Sequence, residues 1–286
     1  MGIWLRRAGV GLGALVVLLL LAAGAVYAMS SARLGATATA EAHAFDAASG
    51  DAVEGGRLAG LYGCTDCHGE DLAGKVMIDE MPFARVAAPN LTSGRSGGAL
   101  TDVQWELAVR HGVGTDGRAL FIMPSPEYVY LSDRDLADIV AHVRTLPAVS
   151  DDLPPRAFGP VGRVLVTLGK LPLTTDLMPP DAAHPAAVAK EPTADFGRYL
   201  TRLCTGCHGP DLGGAPPGPP GAPAGPSLAG DGNLRNWTLE QFAAALRTGR
   251  TPEGKQLDPQ FMPWTAVGKA SDAEIEAMWT YLSSLR

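Results

Sequence analysis

The sequence is poor in charge and in aromatic side chains. Charged residues make up 19% of the 286 residues and aromatic residues 6%, and the net charge is −7. An acidic chain lacks the basic face that binds a phosphate backbone, so we exclude nucleic acid as a partner. The scarcity of aromatic residues limits the apolar area that side chains alone remove from water when a small domain folds.

Turn-forming residues, in contrast, are frequent. Glycine and proline number 35 and 23, a content that predicts short elements joined by many turns. The length is large for one domain and suits two domains of about 100 residues each.

The one long apolar run lies at the N-terminus. Arg6 and Arg7 precede residues 8–28, which carry no charge. At about 1.5 Å per residue, a helix of this length crosses one hydrocarbon core of about 30 Å, and the basic pair places the rest of the chain outside. A cleaved secretory peptide is the alternative, because residues 23–25 and 26–28 end in small residues. We favour a retained anchor, since the run exceeds the usual apolar core of a signal peptide, and both alternatives predict export.

All four cysteines lie in two copies of one motif. The first copy is C-T-D-C-H at residues 64–68 and the second is C-T-G-C-H at residues 204–208. C-x-x-C-H is the attachment pattern of c-type haem, in which two thiols add to the porphyrin vinyl groups and the histidine ligates the iron. A disulfide in each motif would not require the histidine, and a zinc site would have to join cysteine pairs from separate repeats. The pattern therefore predicts two covalently attached haem c groups.

The similarity between the two halves extends beyond the cysteines. C-T-x-C-H-G-x-D-L-x-G fits residues 64–74 and 204–214, and residues 101–118 match residues 238–255 at a constant offset. Upstream, a helix with Gly56 in the first half corresponds to one with Gly197 in the second. An internal repeat of this length indicates two domains of the same fold.

A methionine occupies equivalent positions in the two repeats. Met123 and Met262 follow His68 and His208 at nearly the same distance along the chain, and a proline follows each methionine. The proline keeps the loop out of a helix, so we expect the thioether to reach the iron as its sixth ligand. The predicted site residues are Cys64, Cys67, His68 and Met123 in the first domain and Cys204, Cys207, His208 and Met262 in the second.

Other methionines and histidines do not repeat in this way. Met81 is followed by proline but lies much closer to His68 along the chain than Met123 does, and it has no counterpart in the second half. Met77 and Met178 are expected to be ordinary packing residues. The remaining histidines are not expected to ligate iron; they are His43, His111, His142 and His184.

Both repeats end in an amphipathic helix. Apolar residues recur at helical spacing over residues 136–146 and 275–285, and Ser132 and Ser271 are expected to cap these helices with acidic residues in the first turn. We predict an all-α fold with long loops, in which haem supplies the apolar area that aromatic side chains lack.

The predicted divisions are an anchor or signal (1–28), a tether (29–50), domain 1 (51–147), a proline-rich linker (148–189) and domain 2 (190–286). Within the linker, residues 159–171 are apolar. They are expected to pack against domain 1, with the bilayer surface as the alternative.

These motifs resemble those of known proteins. Both halves resemble class I c-type cytochrome domains. The arrangement resembles the membrane-anchored cytochrome c subunits of bacterial alcohol and gluconate dehydrogenases, notably at residues 89–92, 110–112 and 123–124. The resemblance covers about residues 51–286, but the chain has two haem motifs where the tri-haem subunits have three, and its anchor is at the N-terminus. It implies a redox partner such as a dehydrogenase.

With both axial positions filled by the chain, we predict an electron carrier and not an enzyme. Such a carrier would pass electrons in the periplasm from a dehydrogenase or quinol-oxidising complex to a terminal oxidase or a soluble cytochrome. A soluble periplasmic form remains open if the N-terminus is cleaved. The alternative function is a di-haem redox enzyme of the peroxidase or thiosulfate-oxidising type, which would need one haem with an open or unusual sixth position.

Overall fold

A computed structural model describes residues 2–96, 98–150, 152–180, 182–218, 222–230 and 232–285. In this part of the chain a long N-terminal helix is followed by two helical domains, the first of which carries a small sheet. The helices are α1 (Gly2–Gly35), α2 (Ala52–Leu61), α3 (Cys64–His68), α4 (Asp102–His111), α5 (Ser125–Tyr128), α6 (Asp133–Thr145), α7 (Pro160–Thr167), α8 (Ala194–Leu200), α9 (Thr205–His208), α10 (Leu239–Thr248), α11 (Trp264–Val267) and α12 (Asp272–Ser284). The strands are β1 (Lys75–Glu80), β2 (Ala84–Ala88) and β3 (Ala157–Phe158), and 3₁₀ turns form at Ala47–Ser49, Thr174–Leu177, Thr201–Cys204 and Asn233–Asn236.

The first domain is organised by the crossing of α2 and α6. Asp51 caps α2, where its carboxylate accepts hydrogen bonds from the backbone amides of Val53 (2.9 Å) and Glu54 (3.2 Å). Gly55 allows the helices to touch, because a Cβ atom there would lie 1.8 Å from the carbonyl oxygen of Asp138. No residue with a side chain fits at this crossing without moving a helix.

The second domain repeats the crossing with α8 and α12. A Cβ atom on Gly197 would lie 1.9 Å from the carbonyl oxygen of Ala277. Gly197 is therefore the counterpart of Gly55, and its predicted alignment with Gly56 is wrong by one residue. Because Gly55 and Gly56 are adjacent in α2, the sequence alone does not show which of them lies at the crossing.

Equivalent caps begin the central helices of the two domains. The Thr101 side chain accepts from the Gln104 amide at 3.2 Å, and the Gln104 side chain accepts from the Thr101 amide at 3.0 Å. Thr238 and Gln241 form the same reciprocal pair at 3.3 and 3.0 Å. These capping boxes explain the threonine and glutamine that recur at the repeat offset.

The serine caps predicted for the terminal helices are confirmed. Ser132 accepts from the backbone amide of Asp135 at 3.1 Å, and Ser271 accepts from the amide of Glu274 at 3.2 Å. In both helices the acidic residue at this position is buried. A carboxylate in the first turn is stabilised by the positive end of the helix dipole.

The all-α prediction holds for most of the chain but misses a sheet. β1 and β2 pair antiparallel, with Lys75 opposite Ala88, and β3 adds to the other side of β2. The sequence favours strands here through Val76 and Ile78, which are β-branched. However, β1 is mostly exposed, so it lacks the alternation of buried and exposed residues that identifies a strand in a sequence. β3 was also not predicted, because it lies in the segment assigned to the linker.

The N-terminal helix is long and apolar enough to cross a membrane, by length and composition. It extends to Gly35, inside the segment predicted to be a tether. Its last turns pack against α7: the Arg163 guanidinium donates to the hydroxyls of Ser30 and Ser31, each at 2.9 Å. Arg163 also lies over the ring of Tyr27, 4.3 Å from its centroid. The apolar segment of the linker also packs against the first domain, as expected, because Val166 shares a core cluster with Ala84 and Val86.

The two domains share one hydrophobic core cluster and contact each other through equivalent helices. Arg57, on α2, pairs with Glu274 in the first turn of α12. Tyr199, on α8, donates to the carboxylate of Asp135 in the first turn of α6. Since Arg57 and Tyr199 each stand two residues after the crossing glycine, the interface has approximate two-fold symmetry.

Candidate functional site: two equivalent haem-attachment turns

The predicted site residues fall into two equivalent sets. Short helical turns carry the cysteines and the histidine, namely α3 in the first domain and a 3₁₀ turn followed by α9 in the second. None of the four thiols is in a disulfide. Burial raises the pKa of Cys64 and of Cys204 to about 12. Both thiols are therefore neutral at pH 7.

The loop after each histidine folds in the same way. The backbone amide of the last glycine in the motif donates to the carbonyl of the histidine, at 2.7 Å from Gly74 and 2.8 Å from Gly214. Leu72 and Leu212 adopt left-handed φ angles of 55° and 61° and are buried. The leucine shared by the two motifs is thus a core residue with a left-handed backbone conformation, which residues with a side chain rarely adopt. This conformation could not be predicted from the sequence pattern.

The orientation of each histidine is fixed by a backbone carbonyl. His68 Nδ1 lies 2.7 Å from the carbonyl oxygen of Pro89, and His208 Nδ1 lies 2.8 Å from that of Pro226. Because a carbonyl only accepts, Nδ1 carries the proton and the Nε2 lone pair is free for a metal. Burial lowers the pKa of both histidines, which favours the neutral imidazole. The sequence analysis did not identify these two carbonyl acceptors, although Pro89 and Pro226 occupy equivalent positions in the two repeats.

An apolar cavity of about 300 Å³ lies in the first domain. All four predicted site residues of that domain line it: Cys64, Cys67, His68 and Met123. Much of the remaining wall is apolar and includes Leu72, Val86, Leu100, Trp105, Val109 and Leu136. An apolar chamber with two neutral thiols and one neutral imidazole fits a haem, which needs its ring covered and its iron ligated.

The two predicted methionines occupy equivalent loops. Met123 and Met262 are half-buried and pack against the core cluster. The proline after each stands at the position just before a four-residue helix, α5 or α11. Each loop leaves the preceding helix through a left-handed glycine, Gly112 or Gly249. A leucine amide farther along the loop returns to the carbonyl of that glycine at 2.7 Å in both domains. The shared loop geometry agrees with a shared role, and ligation by the two thioethers stays a prediction.

The competing methionine and histidine positions are placed differently. Met81 is 56% exposed, in the turn between β1 and β2, and does not line the cavity. Met77, on β1, does line it. His111 Nε2 lies 3.2 Å from the Glu106 carboxylate, and His142 Nδ1 lies 3.1 Å from a backbone carbonyl of α2. Among the described residues, no histidine other than His68 lines the cavity.

The methionine side of the first site abuts the cysteine turn of the second. The Met123 loop leads into α5, and a Cβ atom added to Gly206, between the cysteines of the second motif, would lie 2.6 Å from a carboxylate oxygen of Glu127. Beside this contact the Arg202 guanidinium lies 4.2 Å from the centroid of the Tyr130 ring. The two candidate haem sites are therefore joined by directly packed backbone and side chains.

Comparison with known proteins agrees with the two-domain arrangement. A family model described as cytochrome c matches residues 52–147 and 197–286, together about two thirds of the chain. Each matched region contains one complete set of predicted site residues.

The chain is also similar to curated cytochrome subunits of dehydrogenases. It is 26% identical over 255 residues to the fructose dehydrogenase cytochrome subunit of Gluconobacter japonicus, covering 78% of this chain and 50% of that protein. It is 26% identical over 278 residues to the cytochrome c subunit of a quinone-type alcohol dehydrogenase from Gluconacetobacter polyoxogenes, covering 86% of this chain and 58% of that protein. The chain thus spans about half to three fifths of the length of these relatives.

Proposed function

Because the chain belongs to the cytochrome c family and carries two covalently attached haem c groups, we propose that it relays single electrons at the outer face of the cytoplasmic membrane. Haem iron supplies the one-electron chemistry by alternating between the ferrous and ferric states. The observation that carries the proposal is the repeated histidine geometry, in which His68 and His208 each present a free Nε2 lone pair.

Each residue of a set has a distinct role in this proposal. The cysteines would form the thioether bonds to the haem, the histidine would bind iron through Nε2, and the methionine thioether would be the second iron ligand from the chain. The two sets are Cys64, Cys67, His68, Met123 and Cys204, Cys207, His208, Met262. A neutral thioether favours the reduced iron and raises its potential, which suits a carrier in a respiratory chain.

A carrier fits these sites better than an enzyme. If the histidine and the methionine of each set hold the iron, the chain leaves no iron position for a substrate or for oxygen. The largely apolar lining of the first cavity also limits contact with water, which reduces the reorganisation that accompanies a change of iron charge.

The packing between the sites supports a relay through the chain. The first set of residues is linked to the second through α5, whose Glu127 packs against Gly206 between the second pair of cysteines. The interface is held by ion pairs and hydrogen bonds from both domains, so the two haems would keep a constant separation.

The relatives point to the class of electron donor. Their names describe cytochrome subunits of a fructose dehydrogenase and of a quinone-type alcohol dehydrogenase. We propose a dehydrogenase as the donor to this chain, with a quinol-oxidising complex as the other source and a terminal oxidase or soluble cytochrome as the acceptor. The apolar helix α1 would anchor the relay beside these membrane proteins.

A redox titration of the purified chain, followed by absorption, tests the proposal. Two one-electron transitions and low-spin ferric spectra with a methionine–iron charge-transfer band from both haems are expected. A high-spin ferric haem together with peroxidase turnover would instead favour the di-haem enzyme. Purification from membranes under mild detergent should also recover a dehydrogenase that reduces both haems when given its substrate.

A further inference from the structure

Three metal-binding side chains from distant parts of the sequence meet outside the haem sites. The ligand atoms of His43, Asp133 and His184 all lie within 4.8 Å of one another. His43 Nε2 is 3.6 Å from Asp133 Oδ2, and His184 Nε2 is 3.8 Å from Asp133 Oδ1. The two imidazole rings stand edge to face, with centroids 4.7 Å apart. Both histidines lie outside the two regions matched by the cytochrome c model, so the haem sites do not account for them.

The backbone around this cluster is held in place. The amides of Asp133 and Arg134, at the start of α6, donate to the carbonyls of Pro185 and Ala186, each at 3.0 Å. These bonds fix the linker just beyond His184 against the first domain. The His184 side chain is only 13% exposed. Its Nδ1 atom is buried and has no hydrogen-bond partner within the described part of the chain.

The charges near the cluster leave a place for a cation. The buried Arg110 guanidinium lies 2.9 Å from Asp133 Oδ1 and also donates to the carbonyl of Leu131 at 2.8 Å. The buried Glu106 carboxylate lies 3.8 Å from Arg110 and offsets its charge. Arg110 therefore holds the Asp133 carboxylate by an ion pair at Oδ1, which is also the oxygen nearest His184, while Oδ2 faces His43. Partners outside the ligand set commonly orient the carboxylates that bind metals in proteins.

We propose that His43, Asp133 and His184 bind one divalent transition-metal ion of the zinc class. Imidazole and carboxylate are typical zinc ligands, and metal–ligand bonds of about 2.0–2.2 Å place tetrahedral ligands roughly 3.3–3.6 Å apart. The two separations between imidazole and carboxylate need to close by only a few tenths of an ångström. His43 is 57% exposed, so its ring has room to adjust and water completes the coordination. The ion would join the segment before the first domain to the linker that leads to the second.

Zinc binding to the full-length haem-loaded protein tests this site. After chelator treatment and dialysis, the protein is titrated with zinc chloride, and bound zinc is measured against haem iron. One zinc per two haem irons is expected. His43→Ala and His184→Gln should each weaken binding by at least about 10-fold.

Glu41→Gln is the matched control, because it alters an exposed residue of the same segment two positions from His43. It should bind zinc like the parent protein. The haem absorption spectrum of every variant checks that the fold is retained, and zinc should raise the melting temperature of the parent and the control but not of the histidine variants. Failure of the parent to bind zinc, or binding that survives in both histidine variants, would overturn the proposal.

Discussion

Arg57 and Glu274 join the two domains by two parallel hydrogen bonds, 2.8 Å from Nη1 to Oε2 and 2.9 Å from Nη2 to Oε1. The Glu274 side chain is buried, whereas Arg57 is about a third exposed and also pairs with Glu54. At the equivalent place on the other side of the interface, the Tyr199 hydroxyl donates to Asp135 at 2.7 Å. Equivalent positions in the two repeats thus hold the domains together. On one side the contact is the Arg57–Glu274 ion pair, and on the other it is the hydrogen bond from Tyr199 to the Asp135 carboxylate.

Glu274→Gln should loosen this interface. Glutamine keeps the shape of the side chain and its oxygen can still accept from the Ser271 amide, but the charge that faces Arg57 is lost. Although Arg57 retains Glu54, we expect the free energy of unfolding to fall by about 1.5–3 kcal/mol, the range for a hydrogen bond to a charged group. Denaturant unfolding measures the change.

Glu276→Gln, at an exposed position of the same helix, is the control and should change stability by less than about 0.5 kcal/mol. Small-angle X-ray scattering of a Glu274→Gln and Tyr199→Phe double variant should show a larger radius of gyration if the two positions hold the domains together. Equal stability of Glu274→Gln and Glu276→Gln would refute the importance of the pair.

Gly55→Ala and Gly197→Ala should destabilise both helix crossings. Alanine gains about 1 kcal/mol in helix propensity over glycine, but its Cβ atom would lie 1.8 or 1.9 Å from a backbone oxygen of the facing helix. The clash outweighs the gain, so we expect a net loss of about 1–3 kcal/mol in unfolding free energy. Val53→Ala, at a position 87% exposed on the same helix as Gly55, should have little effect. Equal stability of Gly55→Ala and Val53→Ala would mean that the helices separate easily.

The contrast between Gly55 and Ser132 illustrates what the sequence can predict. Ser132 begins an amphipathic helix and its cap depends on residues within one turn, so the local pattern was sufficient. The choice between Gly55 and Gly56 depends on contact with a helix at the far end of the domain, and the local pattern carries no such information. The carbonyl of Pro89 that orients His68 was missed for the same reason, because a backbone acceptor has no residue type.

The sequence indicates the candidate haem ligands more directly than the framework around them. Covalent attachment of haem demands fixed residue types at fixed spacing. In contrast, β1 is mostly exposed and accepts many residue types, so its sequence gives a weak strand signal. The meeting of His43 and His184 at Asp133 was also not predictable, because it depends on where the segments outside the domains are bound. Their sequence shows only that they are rich in small residues and proline.

Stability should depend on pH through Glu54. Hydrogen bonds from Arg57 and Lys190 lower the pKa of Glu54 from 4.5 to about 2. Since the folded-state pKa lies below the unfolded one, the stabilisation is complete above about pH 4.5 and is lost as the pH falls towards 2. Glu54 is partly exposed, so solvent screening limits its contribution to about 1 kcal/mol.

Unfolding of the parent and of Glu54→Gln at several pH values checks this expectation. The parent should be the more stable protein at about pH 6, and the difference should vanish as the pH approaches about 2. The exposed Glu70→Gln is the control and should follow the parent throughout. A gap between parent and Glu54→Gln that stays constant with pH would contradict the role given to this carboxylate.

The N-terminal helix should remain on the mature protein. Tyr27 lies under the Arg163 guanidinium, and the carbonyl of Val26 faces the Thr167 hydroxyl at 3.4 Å. Cleavage after Ala28 would remove both contacts from the packed end of α1. We therefore expect peptide mass mapping of the protein purified from its native host to recover peptides that contain residues 8–28. A mature N-terminus at Val26 or Met29 would show that the segment is a signal peptide.

Met123→Leu and Met262→Leu should each change one haem and leave the other unaltered. Leucine fills a similar volume but has no lone pair, so the iron of that domain loses its sixth ligand. About half of the methionine–iron charge-transfer absorption should disappear in each variant, and the potential of the affected haem should fall, because thioether ligation favours the reduced iron.

Two further methionines provide matched controls for this experiment. Met77 lines the same cavity as Met123, and Met81 is the other methionine in the first domain that precedes a proline. Met77→Leu and Met81→Leu should keep both charge-transfer bands and both potentials, because packing against a haem does not require a sulfur lone pair. If Met81→Leu lost the first domain's charge-transfer band and Met123→Leu kept it, the iron ligand would be Met81, in the turn between β1 and β2. In that case the matching loops after α4 and α10 would serve packing alone.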